Sequence, residues 1–441
     1  FDYDAARSGR GPASSGIRVA DLAHLHLRRV TLDDIVDSSP ILLHAVRVGG
    51  RSRDVAFVTA RFGRTYAIDV ATGQVLWRFT PPGYATWAGT YRYTTATPIA
   101  DPTRRFVYAT SPNGLVHRLD IRNGHEAAGW PIRVTRLPQR EKLTPPLNLT
   151  GCLLLVGTGG YIGDAPPYQG HVVAIDIRTH RIVHVLNTLC SDRHTLLVPS
   201  ACPESDSAVW GKGTMAVDPV THNILIATGN ARFDGRRYWG DSVLMLAPDA
   251  SRIVQSYTPA SYQQLQDQDL DLGSASPAIL PGRLALQGGK DGRWRLLDLR
   301  HLNGRDFRLG RVGGELQTIR TPGGDEIFSH PAVYSAGGTT WVFVADTSGT
   351  AAYKLVRRRL RVAWQNGNTG TSPVVSGGLV WIASPYGGLR VYRPGSGTPI
   401  TTLPTGGGHW NSPIAILGRV ILPEGNSNDD GSSHVIDIWS R

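Results

Sequence analysis

One unit returns eight times along this 441-residue chain: two short apolar strands separated by a turn, a Gly-rich loop, then a third strand. That repeat predicts an all-β chain folded as an eight-bladed β-propeller with four-stranded antiparallel blades. Three observations carry the prediction. The clearest copy is Val55–Phe79, VAFVTARFGRTYAIDVATGQVLWRF, which reads strand, turn, strand, Asp-x-x-Thr-Gly turn, short strand ending at Trp77. Seven of the eight copies open on a step before proline, a small residue in all of them but His330-Pro331. The apolar runs alternate and are bounded by Gly, Pro, Asn and Asp, which marks strands rather than helices.

Taken in order, the steps are Ser39-Pro40, Thr97-Pro98, Thr144-Pro145, Gly213-Thr214-Met215 (where the proline is missing), Ser276-Pro277, His330-Pro331, Ser372-Pro373 and Ser412-Pro413. The third strands are of the type YAID, HRLD, VAID, LMLA, LLD, AYKL, RVYR and VIDI. An orphan strand, about residues 21–32 (HLHLRRVTL at its end), precedes the first unit, and the last unit stops at VIDIWSR without a fourth strand. The N-terminal strand is therefore expected to complete the last blade and lock the ring. A solenoid would need capping ends, and none is visible. Residues 1–441 read as a single domain, with the 51 Gly and 29 Pro that many turns require. An indole at the end of the short outer strand can fill the wedge between blades; Trp77 and Trp364 suit this, then Trp130 and Trp439.

The net charge is +11, from 42 Arg and only 4 Lys against 35 acidic residues. No basic stripe interleaved with aromatics stands out, so the arginines read as a solvated surface and nucleic acid is not the expected partner. No apolar run approaches the roughly 18 residues that span a bilayer. Cys152 is expected in a buried strand. Cys190 and Cys202 bracket the loop CSDRHTLLVPSAC, where a disulfide would contribute about 3 kcal/mol and indicate an oxidising compartment. A chain opening on Phe1 rather than Met is read as having lost a leader, which makes it secreted or cell-envelope/periplasmic.

The Ala67–Trp77 segment, AIDVATGQVLW, resembles the repeat of the quinoprotein (pyrroloquinoline quinone, PQQ) propellers. Val209–Asn230 (VWGKGTMAVDPVTHNILIATGN), Asp267–Leu280 (DQDLDLGSASPAIL) and Gln287–Gly304 (QGGKDGRWRLLDLRHLNG) are similar to the middle blades of PQQ-dependent alcohol dehydrogenases. The opening FDYDAARSGRGP looks like the start of such proteins. A non-enzymatic branch, including a lipoprotein of outer-membrane assembly, shares the repeat, so the fold alone does not assign chemistry.

The resemblance implies roles residue by residue. Asn230 would ligate the metal, Trp210 would stack on the quinone, and Lys290 would polarise its oxygens. Asp267 or Asp269 would take the alcohol proton, and Ca²⁺ or a lanthanide would act as Lewis acid with Asn230, Asp267 and Asp164 as ligands. The family's metal-binding glutamate falls here on Tyr161 or Ile162, its adjacent Cys-Cys pair is absent, and no Cys-x-x-Cys-His is present. The loops of one rim carry Trp87, Arg92, Lys142, Lys212, His330, His409 and Trp410, a polar, aromatic mouth for a protein, glycan or small molecule. The rim carboxylates Asp267, Asp269, Asp325, Glu326 and Glu424 leave a sugar-cleaving pair open. No Gly-x-Ser-x-Gly elbow, phosphate-binding loop or paired-histidine spacing occurs. The expected function is a ligand- or partner-binding propeller with a degenerate quinone site; the alternative is a PQQ- and Ca/lanthanide-dependent alcohol or sugar dehydrogenase.

Overall fold

A computed structural model describes residues 3–441; Phe1 and Asp2 of the quinoprotein-like opening lie outside the described residues. Among the described residues, eight four-stranded sheets follow one another; six are built from consecutive strands, and in blade 3 a short strand, Gly159–Gly160, leaves the blade to pair with Glu141–Lys142. Blade 1 holds Ile41–Val48, Arg51–Thr59, Thr65–Asp69 and Val75–Phe79. The innermost strands of blades 2 to 8 begin at Ile99, Asn148, Ala216, Ala278, Ala332, Val374 and Ile414. In blade 8 the outermost strand is His26–Thr31, paired antiparallel with Val435–Ser440 so that His26 faces Ser440 and Thr31 faces Val435. The chain start thus closes the ring as the orphan strand predicts. The one α-helix among the described residues, Tyr262–Asp267, is short, and no helix there is long and apolar enough to cross a membrane.

Local chemistry explains the repeated turn. A carboxylate ending the third strand folds back on the backbone two residues on: Asp69 accepts from Ala71 N at 2.9 Å, Asp120 from Arg122 N at 2.8 Å, Asp176 from Arg178 N at 2.8 Å and Asp298 from Arg300 N at 3.0 Å. This Asx turn satisfies donors the ladder no longer reaches. Between blades, Trp77 donates Nε1–H to Ile121 O of blade 2 at 2.8 Å. Its ring lies against Gly124, where φ is +74° and a Cβ would stand 2.6 Å from the indole. Trp364 repeats the arrangement on blade 7, donating to Pro394 O at 2.8 Å. Trp130 packs instead on Tyr108, ring centroids 5.3 Å apart, and Trp439 is buried in the blade 7–8 core.

At the axis the small-residue steps meet. Ser39 N donates to Thr97 Oγ1 (3.0 Å), His330 N to Ser372 Oγ (2.8 Å) and Ser412 N to Ser39 Oγ (3.0 Å), each bond joining one blade to the next. Below this layer the N-terminal segment crosses the ring. Ala5 O accepts from Val217 N, Ser8 O from Val333 N and Gly9 O from Val375 N, all at 2.8 Å, and Gly11 N donates to Val375 O at 2.7 Å. The buried Arg7 guanidinium donates to Leu147 O at 2.5 Å, and His330 Nε2 donates to Arg7 O at 2.6 Å. This plug was not legible in the opening residues. Cys152 differs from expectation: it lies half-buried in a hairpin turn, not in a strand. Cys190 and Cys202 form the disulfide.

Two outcomes follow. Trp77→Ala should cost about 3 kcal/mol or more in denaturant unfolding; a loss under about 1 kcal/mol would show that the indole does not join the blades. Burial pushes the His330 imidazole down to about 4 from its ordinary 6.5. The unfolded chain therefore takes up this proton first, so stability falls as pH drops from 6.5 toward 4, by up to roughly 3 kcal/mol. His330→Gln, which can still donate to Arg7 O, should flatten the stability–pH curve in that window.

Candidate functional site

The residue three positions before each step's proline, or before Met215 in blade 4, has the same place in every blade. In order these residues are Asp37, Thr95, Lys142, Lys212, Ser274, Phe328, Gly370 and Trp410. Six of the eight line one axial cavity of about 490 Å³, within the range of small-molecule sites. The register follows from the fold: each inner strand is entered through the step, so side chains just before it point over the axis, above the hydroxyl layer and the N-terminal plug. Trp210, Asn230, Asp271, Lys290, Asp164 and His409 complete the functional wall.

The cavity is polarised. At one end, Asp271 Oδ1 accepts from Asn230 N at 2.8 Å and Oδ2 lies 2.5 Å from Lys290 Nζ. Burial raises the Asp271 carboxyl above the ordinary range, opposed by the Lys290 ammonium. Burial works to lower Lys290, but its carboxylate neighbours, Asp271 foremost, outweigh that and hold the amine above its ordinary value. Gly229 is required here, because a Cβ on it would overlap the Asp271 carboxylate. Lys290 Nζ also lies 5.8 Å from the Trp210 ring centroid. At the other end, Lys212 Nζ donates to Asp37 O at 3.2 Å and lies 3.9 Å from Asp37 Oδ1. Asp37 is fully buried and accepts from His409 Nδ1 and from Ser427 N, both at 2.9 Å. Burial works to raise Asp37, but His409, Lys212 and the Ser427 N–H together hold it below the carboxylate range. On the other edge of the ring, Asn428 Nδ2 lies 3.3 Å from His409 Nε2. Burial pushes Lys142 down to about 8. Aromatic faces bound the space: Phe328 stacks on Trp410 at 4.8 Å and tilts against Trp210 at 6.0 Å.

The structure brings together Trp210, Asn230, Lys290, Asp164, Asp269, Lys142, Lys212, His409 and Trp410. It leaves out Asp267, which ends the helix Tyr262–Asp267, is exposed, and accepts from Gln263 Nε2 at 2.8 Å. The buried cavity carboxylate of that segment is Asp271, and Asp269 stands at the rim. Three expected mouth residues also lie elsewhere. Trp87 is buried in a side cluster with Phe62, Tyr93 and Tyr161 and donates to Phe62 O at 3.0 Å. Arg92 donates to Pro112 O at 3.0 Å, and His330 belongs to the layer below. Asp37 was missed, although its place three residues before Pro40 was the available signal.

A hard divalent or trivalent cation wants six to eight oxygen ligands. Both Asp271 oxygens are already engaged, Asp164 accepts from Tyr168 OH at 2.9 Å, and the position of the family's glutamate holds Tyr161 or Ile162. Among the described residues, no three His, Cys, Asp or Glu side chains converge to hold a metal ion. The donor set does not fit the metal. The aromatic walls and the lysines do fit a planar anion such as PQQ.

Comparison with known proteins agrees with this fold. A PQQ-like repeat family, described as outer membrane protein assembly factor BamB, matches residues 29–183. Quinohemoprotein alcohol dehydrogenase ADH IIB of Pseudomonas putida is 23% identical over 290 residues, 59% of this chain but only 40% of that relative's length. The structure of quinohemoprotein alcohol dehydrogenase ADHIIG from Pseudomonas putida superposes with a TM-score of 0.74 at 14% identity, covering 99% of this chain and 79% of the other. BamB from Moraxella catarrhalis superposes at 0.58 with 14% identity, covering 95% and 100%. The molecule is an eight-bladed β-propeller, similar over part of its length to a PQQ-like repeat family and in fold to both an alcohol dehydrogenase and an assembly factor.

Lys290→Met would leave Asp271 buried without its ammonium and should cost about 3 kcal/mol near neutral pH. The cost should shrink in acid as Asp271 protonates, and Asp271→Asn in the same chain should recover most of it, all read by chemical denaturation.

Proposed function

We propose that this propeller is a binding protein for a planar, carboxylate-bearing ligand of the pyrroloquinoline quinone type, held in the axial cavity. The observation that supports this best is the distribution of lysine. In a chain with 42 Arg and 4 Lys, three of the four lysines line this one cavity. Lys gives a compact, movable point charge where Arg gives a rigid fork. The Cys190–Cys202 disulfide supports an oxidising compartment outside the cytoplasm.

A second reading, a quinone-dependent alcohol oxidoreductase, is favoured by the meeting of Asn230, Asp271 and Lys290 at one end of the cavity. PQQ, when bound, supplies a two-electron acceptor. Asp271, held more basic by burial, is the group placed to accept a hydroxyl proton, and Lys290 balances its charge. The unfitting metal donors weigh against this reading.

Titration with PQQ, followed by quinone absorbance and melting temperature, separates the two. The binding reading expects saturable binding that raises the melting temperature, unchanged by EDTA, with no dye reduction when alcohols are added. Absence of any shift at saturating PQQ overturns both readings. Dye reduction that requires Ca²⁺ or La³⁺ establishes the second.

A further inference from the structure

We propose that Lys142 and Lys212 form an oxyanion subsite on the floor of the cavity, which seats a carboxylate of the ligand directly, without a divalent cation. This deepens the binding reading above and takes its ligand class from it.

The two lysines hold equivalent positions in neighbouring blades, both line the axial cavity, and the charge of Lys142 acts on Lys212. One buried carboxylate serves this end. Asp37 lies behind Lys212 and already accepts from His409 and Ser427. Lys142 has no Asp or Glu oxygen within 4.0 Å among the described residues; its contacts are the Tyr93 hydroxyl at 3.5 Å and the Tyr93 ring face at 4.6 Å. At contact distance the two enclosed ammoniums therefore share one already engaged carboxylate, Asp164 acting on Lys142 only from beyond 4.0 Å. Enclosed charge is costly unless it is paired, and the open direction for both is the cavity.

A second observation points the same way. The Thr144 hydroxyl, buried on the same floor, has no hydrogen-bond partner among the described residues. A buried hydroxyl without a partner calls for one, and Thr144, unlike the equally unpartnered step hydroxyls of Thr214 and Ser276, lines the cavity. Lys290 is the contrast: it faces both Asp271 and Asp269 and is already neutralised. The cavity thus has one end that is charge-balanced and one that lacks an anion. Carboxylate oxygens match paired ammonium and hydroxyl donors in charge and hydrogen-bonding capacity. The carboxylate can belong to a quinone cofactor or to a small organic acid, and the test separates these.

Binding of PQQ, PQQ trimethyl ester and oxalate is measured by calorimetry in EDTA for wild type, Lys142→Met, Lys212→Met and the surface control Lys354→Met. The expected result is at least a ten-fold weakening of PQQ by either cavity substitution. The ester should be unaffected, and Lys354→Met should bind as wild type. Without ligand, Lys142→Met should melt at or above wild type, because it removes an uncompensated charge; a lysine with a purely structural role would lower the melting point. Oxalate should compete with PQQ on wild type, a measurement that needs no variant. Wild-type PQQ affinity in both folded variants, or absence of oxalate competition with bound PQQ, overturns the subsite while leaving the quinone reading intact. If PQQ fails to bind but oxalate binds with lysine dependence, the subsite stands for a small acid and the quinone reading falls.

Discussion

Everything in this molecule depends on eight backbones being brought to one axis and bonded there. The small-residue steps make that approach tolerable, since a Ser or Thr at the crossing occupies little space and carries its own acceptor. The bonds from Ser39 N to Thr97, from His330 N to Ser372 and from Ser412 N to Ser39 join neighbouring inner strands that belong to separate sheets. Further out, the wedge between blades is filled by indoles or aliphatic side chains, and the N-terminal strand in blade 8 ties the ring shut. From below, the segment through Ala5–Gly11 satisfies inner-strand donors that would otherwise face an open channel.

The same belt builds the site. Once the steps are fixed, the residue three positions earlier must overhang the axis, and chemistry can be varied blade by blade without disturbing the frame. Here the positions hold a carboxylate, a Thr, two lysines, a Ser, a Phe, a Gly and a Trp. The result is a cavity with an aromatic side, a neutral Asp271–Lys290 end and a cationic Lys142–Lys212 end. Relatives with the same frame carry names as different as alcohol dehydrogenase and assembly factor. The chemistry open to this chain is set by the groups on the ring rather than by the ring itself.

The fold was legible because strand periodicity and the Ser/Thr-Pro step are local signals, and strand closure follows from an unpaired strand at each end. The disulfide was legible from two cysteines in one irregular loop. The site was only partly legible. In DQDLDLG, alternate aspartates look equivalent, and only the end of the short helix decides that Asp267 stays outside, Asp269 reaches the rim and Asp271 enters. His330 and Phe328 are two residues apart in one loop, yet two residues at a propeller axis separate the plug layer from the cavity. Trp87 and Arg92 have the composition of a binding mouth but turn sideways into the Phe62–Tyr161 cluster. Asp37 carries no motif of its own; its position relative to Pro40 is its only signature.

The most direct test of the central claim is a crystal structure of the protein grown with PQQ and EDTA. The account predicts the quinone in the axial cavity against Trp210 and Trp410, one carboxylate within hydrogen-bond distance of both Lys142 and Lys212, and Asp271 still paired with Lys290. A quinone bound elsewhere, a bound quinone whose carboxylates avoid both lysines, or an empty cavity at saturating ligand would contradict it.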